Sequence, residues 1–315
     1  MNQSATILNA VVPVFGLMGL GVLLRKLNWL TEEADKSMMR VCVNVLLPCL
    51  ILDKSLGNPA LSQPSNLLLA PLVGYLTAGL AMLVAWAAKP LHGLSDPAQR
   101  RTFAVCVGLH NYGYIPLPLA LLLFNQATTG VLFLHIIGVE MAMWTLGVMV
   151  LSGGNLGRDW RKLINAPLLA ILLAVLLNAL GWNTRVPQVV GTGMHWLGGC
   201  AIPLALMLIG AIMADHLGEF HSANGWRVMS AAVGLRLGLL PLLLLLLAKY
   251  IPMTVEHQRV LVLEAAMPTA VFPIVLTKLY KGDPPTAMRA VLSTAVVSLV
   301  TIPLWLKFGM KLVGL

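Results

Sequence analysis

The chain has 315 residues, 58% hydrophobic and only 10% charged, with a formal net charge of +9 and a mean hydropathy of +0.84. A soluble domain carries about 25% charged residues. This composition cannot cover a water-facing surface, which excludes a soluble enzyme, a nucleic-acid partner and a disordered scaffold, and the excess cations mark the cytoplasmic face of a polytopic membrane protein.

A hydrocarbon core about 30 Å thick takes roughly 20 apolar residues per helix, and ten stretches qualify. Span one, 7–24, carries Pro13; no Lys or Arg precedes it and no small-residue cleavage site follows, so a retained helix is expected. Span two, 38–52, is short and holds Asn44 and Pro48. Span three is 67–88. Span four, 103–123, contains Pro116 and Pro118, and span five, 131–151, contains Glu140. A cytoplasmic linker, 152–164, leads to span six, 165–182, and span seven, 189–213. Span eight, 226–248, holds Arg236; span nine, 258–280, holds Glu264, Pro268 and Pro273; span ten is 287–308. The runs lack the alternation of barrel strands, so the expected class is all-α.

Fourteen Lys and Arg flank one face of this arrangement and six the other, with Arg236 left inside a span. The positive-inside rule then places the linker in the cytoplasm and both termini outside the cell (inner) membrane. Cys42, Cys49, Cys106 and Cys200 fall within spans without metal-ligand spacing and read as packing residues. No metalloprotease or nucleophile-elbow motif is present, so no enzyme, cofactor or metal is expected.

Proline spacing points to an internal repeat. Pro48 and Pro203, Pro97 and Pro252, and Pro118 and Pro273 are each 155 apart, and Pro13 and Pro167 are 154 apart. All four pairs fall at matching places of two five-span units, 1–151 and 165–315. Duplicating an odd number of spans inverts the second copy, as in many secondary transporters.

Spans four and nine cannot be continuous helices. Pro116 and Pro118 follow Gly113 closely, and Pro268 and Pro273 interrupt span nine; proline removes a donor and clashes with the preceding turn. Unwound backbone at membrane depth survives only where protein buries it or a cavity hydrates it. Two such breaks in inverted halves suggest crossing helices whose half-helix amino termini offer N–H groups to an anion. His110, Asn111 and Tyr112 precede one break, and Glu264 and Thr269 flank the other. Asn111 can donate to a carboxylate or cap the broken helix. His110 is either a bonded structural histidine or a proton relay.

Glu140, Arg236 and Glu264 are the formally charged residues deep in the spans, roughly 10–15 Å in at 1.5 Å per residue. Arg236 can pair with either carboxylate and leave the other for a proton or cation; a wholly structural ion-pair cluster is the other reading.

The segments Asn44-Val-Leu-Leu-Pro-Cys-Leu-Ile51, 111–118 with its two prolines, and Asn165-Ala-Pro-Leu-Leu-Ala170 resemble the auxin efflux carrier family, including its short bacterial members. So do Ala201-Ile-Pro-Leu-Ala-Leu-Met-Leu-Ile-Gly210 and Glu264-Ala-Ala-Met-Pro-Thr-Ala270. The resemblance implies ten helices in two inverted five-helix repeats. A scaffold domain would comprise spans one, two, six and seven, and a transport domain spans three to five and eight to ten. Substrate contacts carry over to Asn111, Tyr112 and Gly113, to Pro268, Thr269, Ala270 and Val271, and on the scaffold side to Asn44. The implied activity is elevator-type secondary transport of a small carboxylate such as malonate, malate or an auxin-like acid, often by a homodimer. The plant carriers' long cytosolic loop is absent.

Two other readings accompany this one. The coupling ion of the carrier would be H+, at Glu264 or Glu140, or Na+; a bile-acid-type sodium symporter, which shares the architecture, is the nearest other reading. A non-transporting ligand sensor would bind the anion without moving it.

Overall fold

A computed structural model describes residues 3–154, 164–215 and 225–315. Among these residues every regular element is helical, apart from one isolated bridge between His110 and Thr269. Six helices are long and apolar enough to cross a bilayer: Ser4–Lys26, Pro64–Ala87, Gln126–Leu151, Gln188–Asp215, Trp226–Tyr250 and Pro284–Val313. They occupy expected spans one, three, five, seven, eight and ten. The linker's Arg158, Arg161 and Lys162 lie outside the described residues.

The other four expected spans are built differently. Span two runs from Glu32–Val41 through a wide π turn, Cys42–Leu46, into Leu47–Ser55. It extends beyond its apolar window because Thr31 caps a first turn carrying Glu32, Glu33 and Asp35, which suits the positive end of the helix. Span six is the short helix Ala166–Ala179. Span four is split into Pro97–Gly108 and Pro116–Leu123, and span nine into Val255–Ala265 and Phe272–Leu279.

Side-chain caps fix several starts. The carboxylate of Asp96 accepts from Gln99 N at 2.9 Å with Pro97 next in line, and Asp283 accepts from Thr286 N at 2.9 Å ahead of Pro284. Asn125 and Asn165 do the same for Thr128 N and Leu168 N, at 3.0 and 2.9 Å. Each cap satisfies an orphan N–H, and proline at the first position loses no bond the helix would have made.

Span three shows how the helices sort their faces. Ala70, Gly74, Ala78, Ala81 and Ala85 are buried, whereas Leu68, Leu72, Leu76 and Leu83 point outward. Small residues let helix backbones approach closely in lipid. A methyl added at Gly138 of span five would strike the Pro71 carbonyl, and one at Gly74 the His135 carbonyl. Spans one and seven use Gly21 and Gly210 in the same way, against Met207 and Met18. At one end of that pair Arg25 bridges Asp35 and, through Nε at 3.0 Å, Asp215.

Candidate substrate site at two crossing helix breaks

Span four unwinds after Gly108 and restarts at Pro116; span nine unwinds after Ala265 and restarts at Phe272. Pro116, Pro118 and Pro273 therefore sit in the first turn of the restarted halves, where a missing N–H costs little. Pro268 lies within the break itself. The two unwound segments run antiparallel and pair: Asn111 N donates to Pro268 O at 2.7 Å, and Ala270 N donates to Leu109 O at 2.9 Å.

Extended backbone turns successive side chains to opposite faces. Asn111 and Ala270 accordingly line a cavity of about 540 Å³, whereas His110 and Thr269 are buried outside its lining. Spans two, six and seven form one wall of the cavity and spans four, five and nine the other. Most of that surface is aliphatic or aromatic. Its polar exceptions are Asn111, Tyr112, Tyr114, Glu140, Asn165 and Lys278.

The polar groups are held individually. Asn111 Oδ1 accepts from Ile115 N at 3.2 Å, capping the restart of span four, while its side chain borders the cavity. Glu140 Oε2 accepts from Asn165 Nδ2 at 2.9 Å, and Asn165 Oδ1 caps span six. The hydroxyls of Tyr112 and Tyr114 reach only the sulfurs of Met143 and Met39, at 3.7 and 3.9 Å. The restarted halves begin beside the cavity at Tyr114 and at Val271–Phe272, so their positive dipole ends face it.

A family model described as "membrane transport protein" matches residues 6–159 and 154–306. The chain belongs to this family, that of the auxin efflux carriers. It is 29% identical over 308 residues to a protein described as an uncharacterized transporter of Methanothermobacter thermautotrophicus, covering 97% of this chain and 98% of the relative. A second such transporter, from Methanocaldococcus jannaschii, is 24% identical over 95% of this chain and 97% of its own. Auxin efflux carrier component 8 of Arabidopsis thaliana is 30% identical over 149 residues, 46% of this chain and 40% of the plant protein. The chain is thus a membrane transporter rather than an enzyme.

Against this family background, the structure gathers some of the expected residues and disperses others. Asn111, Tyr112, Gly113, Ala270, Val271 and Glu140 border the cavity. Pro268 and Thr269 hold the crossing from behind it. Asn44 does not reach the cavity: it is exposed, and its Nδ2 donates to Arg40 O at 2.8 Å. The inward stripe of span two is Met39, Val43, Leu47 and Ile51, one step out of phase with Asn44. Arg236 also departs from expectation. Its guanidinium donates to backbone rather than to a carboxylate, through Nε to Met267 O at 3.0 Å and Nη2 to Glu264 O at 3.3 Å. It caps the last carbonyls of the first half of span nine, where a cation meets the negative dipole end.

His110 and Glu264 stand together, with His110 Nε2 2.9 Å from Glu264 Oε2. His135 of span five completes the group, all three offering N or O atoms within 4.8 Å of one another. Two histidines and a glutamate are a donor set that zinc accepts, but the Arg236 guanidinium, which donates to the Glu264 backbone from the same side, sets a positive charge against a divalent ion there. Reasoning from formal charge passed over His135; the usable signal was an ionisable residue in the middle of an apolar run.

Proposed function

We propose that the chain is a secondary carrier for a small organic anion with one carboxylate and an apolar body, in the manner of an auxin-like acid. The observation behind this reading is the cavity at the crossing. About 540 Å³ of largely apolar space with a few convergent polar groups is the usual form of a site for such a ligand. Asn111 Nδ2 and the two half-helix amino termini would hold the carboxylate, and the ring of Ile, Leu and Phe side chains would hold the body. A short diacid such as malonate or malate would leave much of that surface bare. The similarity to plant auxin efflux carriers agrees with an apolar acid, although it covers less than half of this chain.

In this reading ten spans form two inverted five-helix repeats in the cell membrane, with both termini outside. The cavity lies between the two span groups that would serve as scaffold and transport domain. It reaches Lys278 and Ile212 on the side that the cation distribution makes cytoplasmic. On the opposite side Asn58 Nδ2 donates to Gln126 O at 2.7 Å and Gln126 Nε2 to Lys54 O at 3.3 Å, joining the groups there. The arrangement corresponds to an inward-open stage of elevator movement.

The test is counterflow of labelled indole-3-acetate, malonate and malate in vesicles holding the purified chain. The expected outcome is saturable exchange of indole-3-acetate, little exchange of the diacids, and loss in Ile137→Trp, which fills the cavity. No exchange of any carboxylate by a folded, monodisperse protein would overturn the proposal.

A further inference from the structure

The cavity leaves unexplained the ionisable groups sealed behind the crossing. The side chains of His110 and Glu264 are 2% and 1% exposed, and His135 is equally buried. Both ring nitrogens of His110, Nε2 of His135 and both carboxyl oxygens of Glu264 lack an aligned hydrogen-bond partner. Buried polar atoms are normally paired. Here one N or O atom from each of three residues, on spans four, five and nine, converges within 4.8 Å, which calls for a ligand.

We infer that His110, His135 and Glu264 form a proton-binding site on the far face of the crossing. One exchangeable proton is carried by either Glu264 Oε2 or His110 Nε2, which lie 2.9 Å apart, with His135 Nε2 as a further acceptor, and it moves with the organic anion. Binding the proton makes one O–H or N–H bond and breaks none within the protein. The site stands on its own geometry; its coupling to the anion rests on the carrier reading.

Other cations fit less well. A sodium ion needs a shell of oxygens, whereas two of the three converging side chains offer nitrogen. A divalent ion would add two charges beside Arg236. With neutral imidazoles, Arg236 and Glu264 cancel, so one added proton leaves the cluster at +1. That charge offsets a single carboxylate in the cavity, and the loaded pair crosses the membrane at less electrostatic cost.

The neighbours are few. Tyr112 meets the His110 ring edge-on at 6.4 Å, Arg236 approaches from span eight, and His257 lies earlier on the Glu264 helix. Span ten presents the Thr294 hydroxyl, occupied by Thr269 N at 3.2 Å, and span three presents Gly74 to the His135 backbone.

The position of the proton fits this pairing with the anion. His110 and Asn111 are consecutive, so the proton and the carboxylate would bind to opposite faces of the same short segment. Filling one site then biases the other, and the coupling is reciprocal.

The test is an infrared pH titration of the full chain in lipid nanodiscs, comparing the unmodified protein with Glu264→Gln and His135→Gln. The expected result is a protonated-carboxyl band that titrates together with imidazole bands. It is lost in Glu264→Gln, and its midpoint moves by about one pH unit or more in His135→Gln. Glu264→Asp, which keeps a carboxyl, should shift the band and covers the case in which the Gln variant misfolds. The site is overturned if no band assigned to Glu264 titrates between about pH 4 and 10. It is equally overturned if elemental analysis finds one metal ion per chain that His135→Gln removes. Coupling is read with indole-3-acetate and a pH dye trapped in vesicles, after subtracting the acid leak of protein-free vesicles. Proton entry with the anion supports coupling, and saturable exchange without it overturns coupling alone. A titrating band without exchange of any carboxylate supports the site and overturns the carrier reading.

Discussion

Replacing Arg236 with Met tests whether this guanidinium is a structural cap. The side chain is fully buried and donates to Met267 O and Glu264 O at 3.0 and 3.3 Å. Met fills similar apolar space but donates nothing. Hydrogen bonds to a charged group are worth about 1.5–3 kcal/mol each, and stripping one partner from a buried charge pair costs about 3–5 kcal/mol. These estimates overlap, because both count the loss of the same buried guanidinium, so the expected loss is about 3–5 kcal/mol rather than their sum. For a chain of this size that lowers the unfolding midpoint by on the order of 10 °C. Adding Glu264→Gln removes the stranded charge and should return about 1–3 kcal/mol. The two carbonyls would still lack donors, so recovery should be partial. The measurement is thermal unfolding of the single and double variants in one detergent. Arg236→Met with an unchanged midpoint would refute the cap, and a double variant no more stable than Arg236→Met alone would refute the charge compensation between Arg236 and Glu264.

Gly210→Ala and Gly138→Ala should each cost about 1–3 kcal/mol, because the added methyl meets the backbone of Met18 or of Pro71. Gly19→Ala, with nothing within 4 Å, should be neutral or slightly stabilising in the same unfolding assay. Asn165→Ala should lose about 1 kcal/mol from the cap of span six. Asn165→Asp keeps the cap but sets a second carboxylate against Glu140, and should be the less stable of the two at pH 8. His92, between spans three and four, accepts from Leu94 N through Nδ1 at 3.0 Å. Burial, then Arg100 and Lys89, hold its pKa below the ordinary histidine value. The unfolded chain therefore takes up its proton first, near pH 6.5. Stability from this group is complete above about pH 6.5 and falls on acidification. Comparing unfolding midpoints at pH 7.5 and 5.5 should show a smaller acid loss in His92→Gln.

Long apolar runs made the six long spanning helices legible in the sequence, though not the π turns Met143–Gly147 and Leu235–Leu239 within two of them, and the two breaks were legible in Pro116, Pro118, Pro268 and Pro273. Proline carries its backbone consequence in its own identity. What stayed hidden depends on phase and on partners without a side-chain signature. Asn44 and Val43 are adjacent, and the local π turn decides which one faces the cavity. Arg236 was visible as a buried cation, but its acceptors are backbone carbonyls freed by the break, which no residue letter announces. His135 escaped because a neutral imidazole does not register in a count of charges. Its importance comes only from its approach to His110 and Glu264.

The break in span nine separates two poles that a continuous helix would cancel along its length. Its first half ends in carbonyls, which need a donor, and its second half begins with N–H groups, which need an acceptor. Arg236 answers the carbonyl end on the sealed side. The amino-terminal end at Val271 and Phe272 borders the cavity and has no side-chain cap. One pole is therefore neutralised by a fixed cation while the other remains open toward the cavity. The restart of span four also lies beside the cavity near Tyr114, but Asn111 caps its Ile115 N and turns its remaining amide group toward the same space. An anion site can in this way be assembled at membrane depth from peptide dipoles and one asparagine, without the desolvation cost of a lysine or arginine beside the ligand.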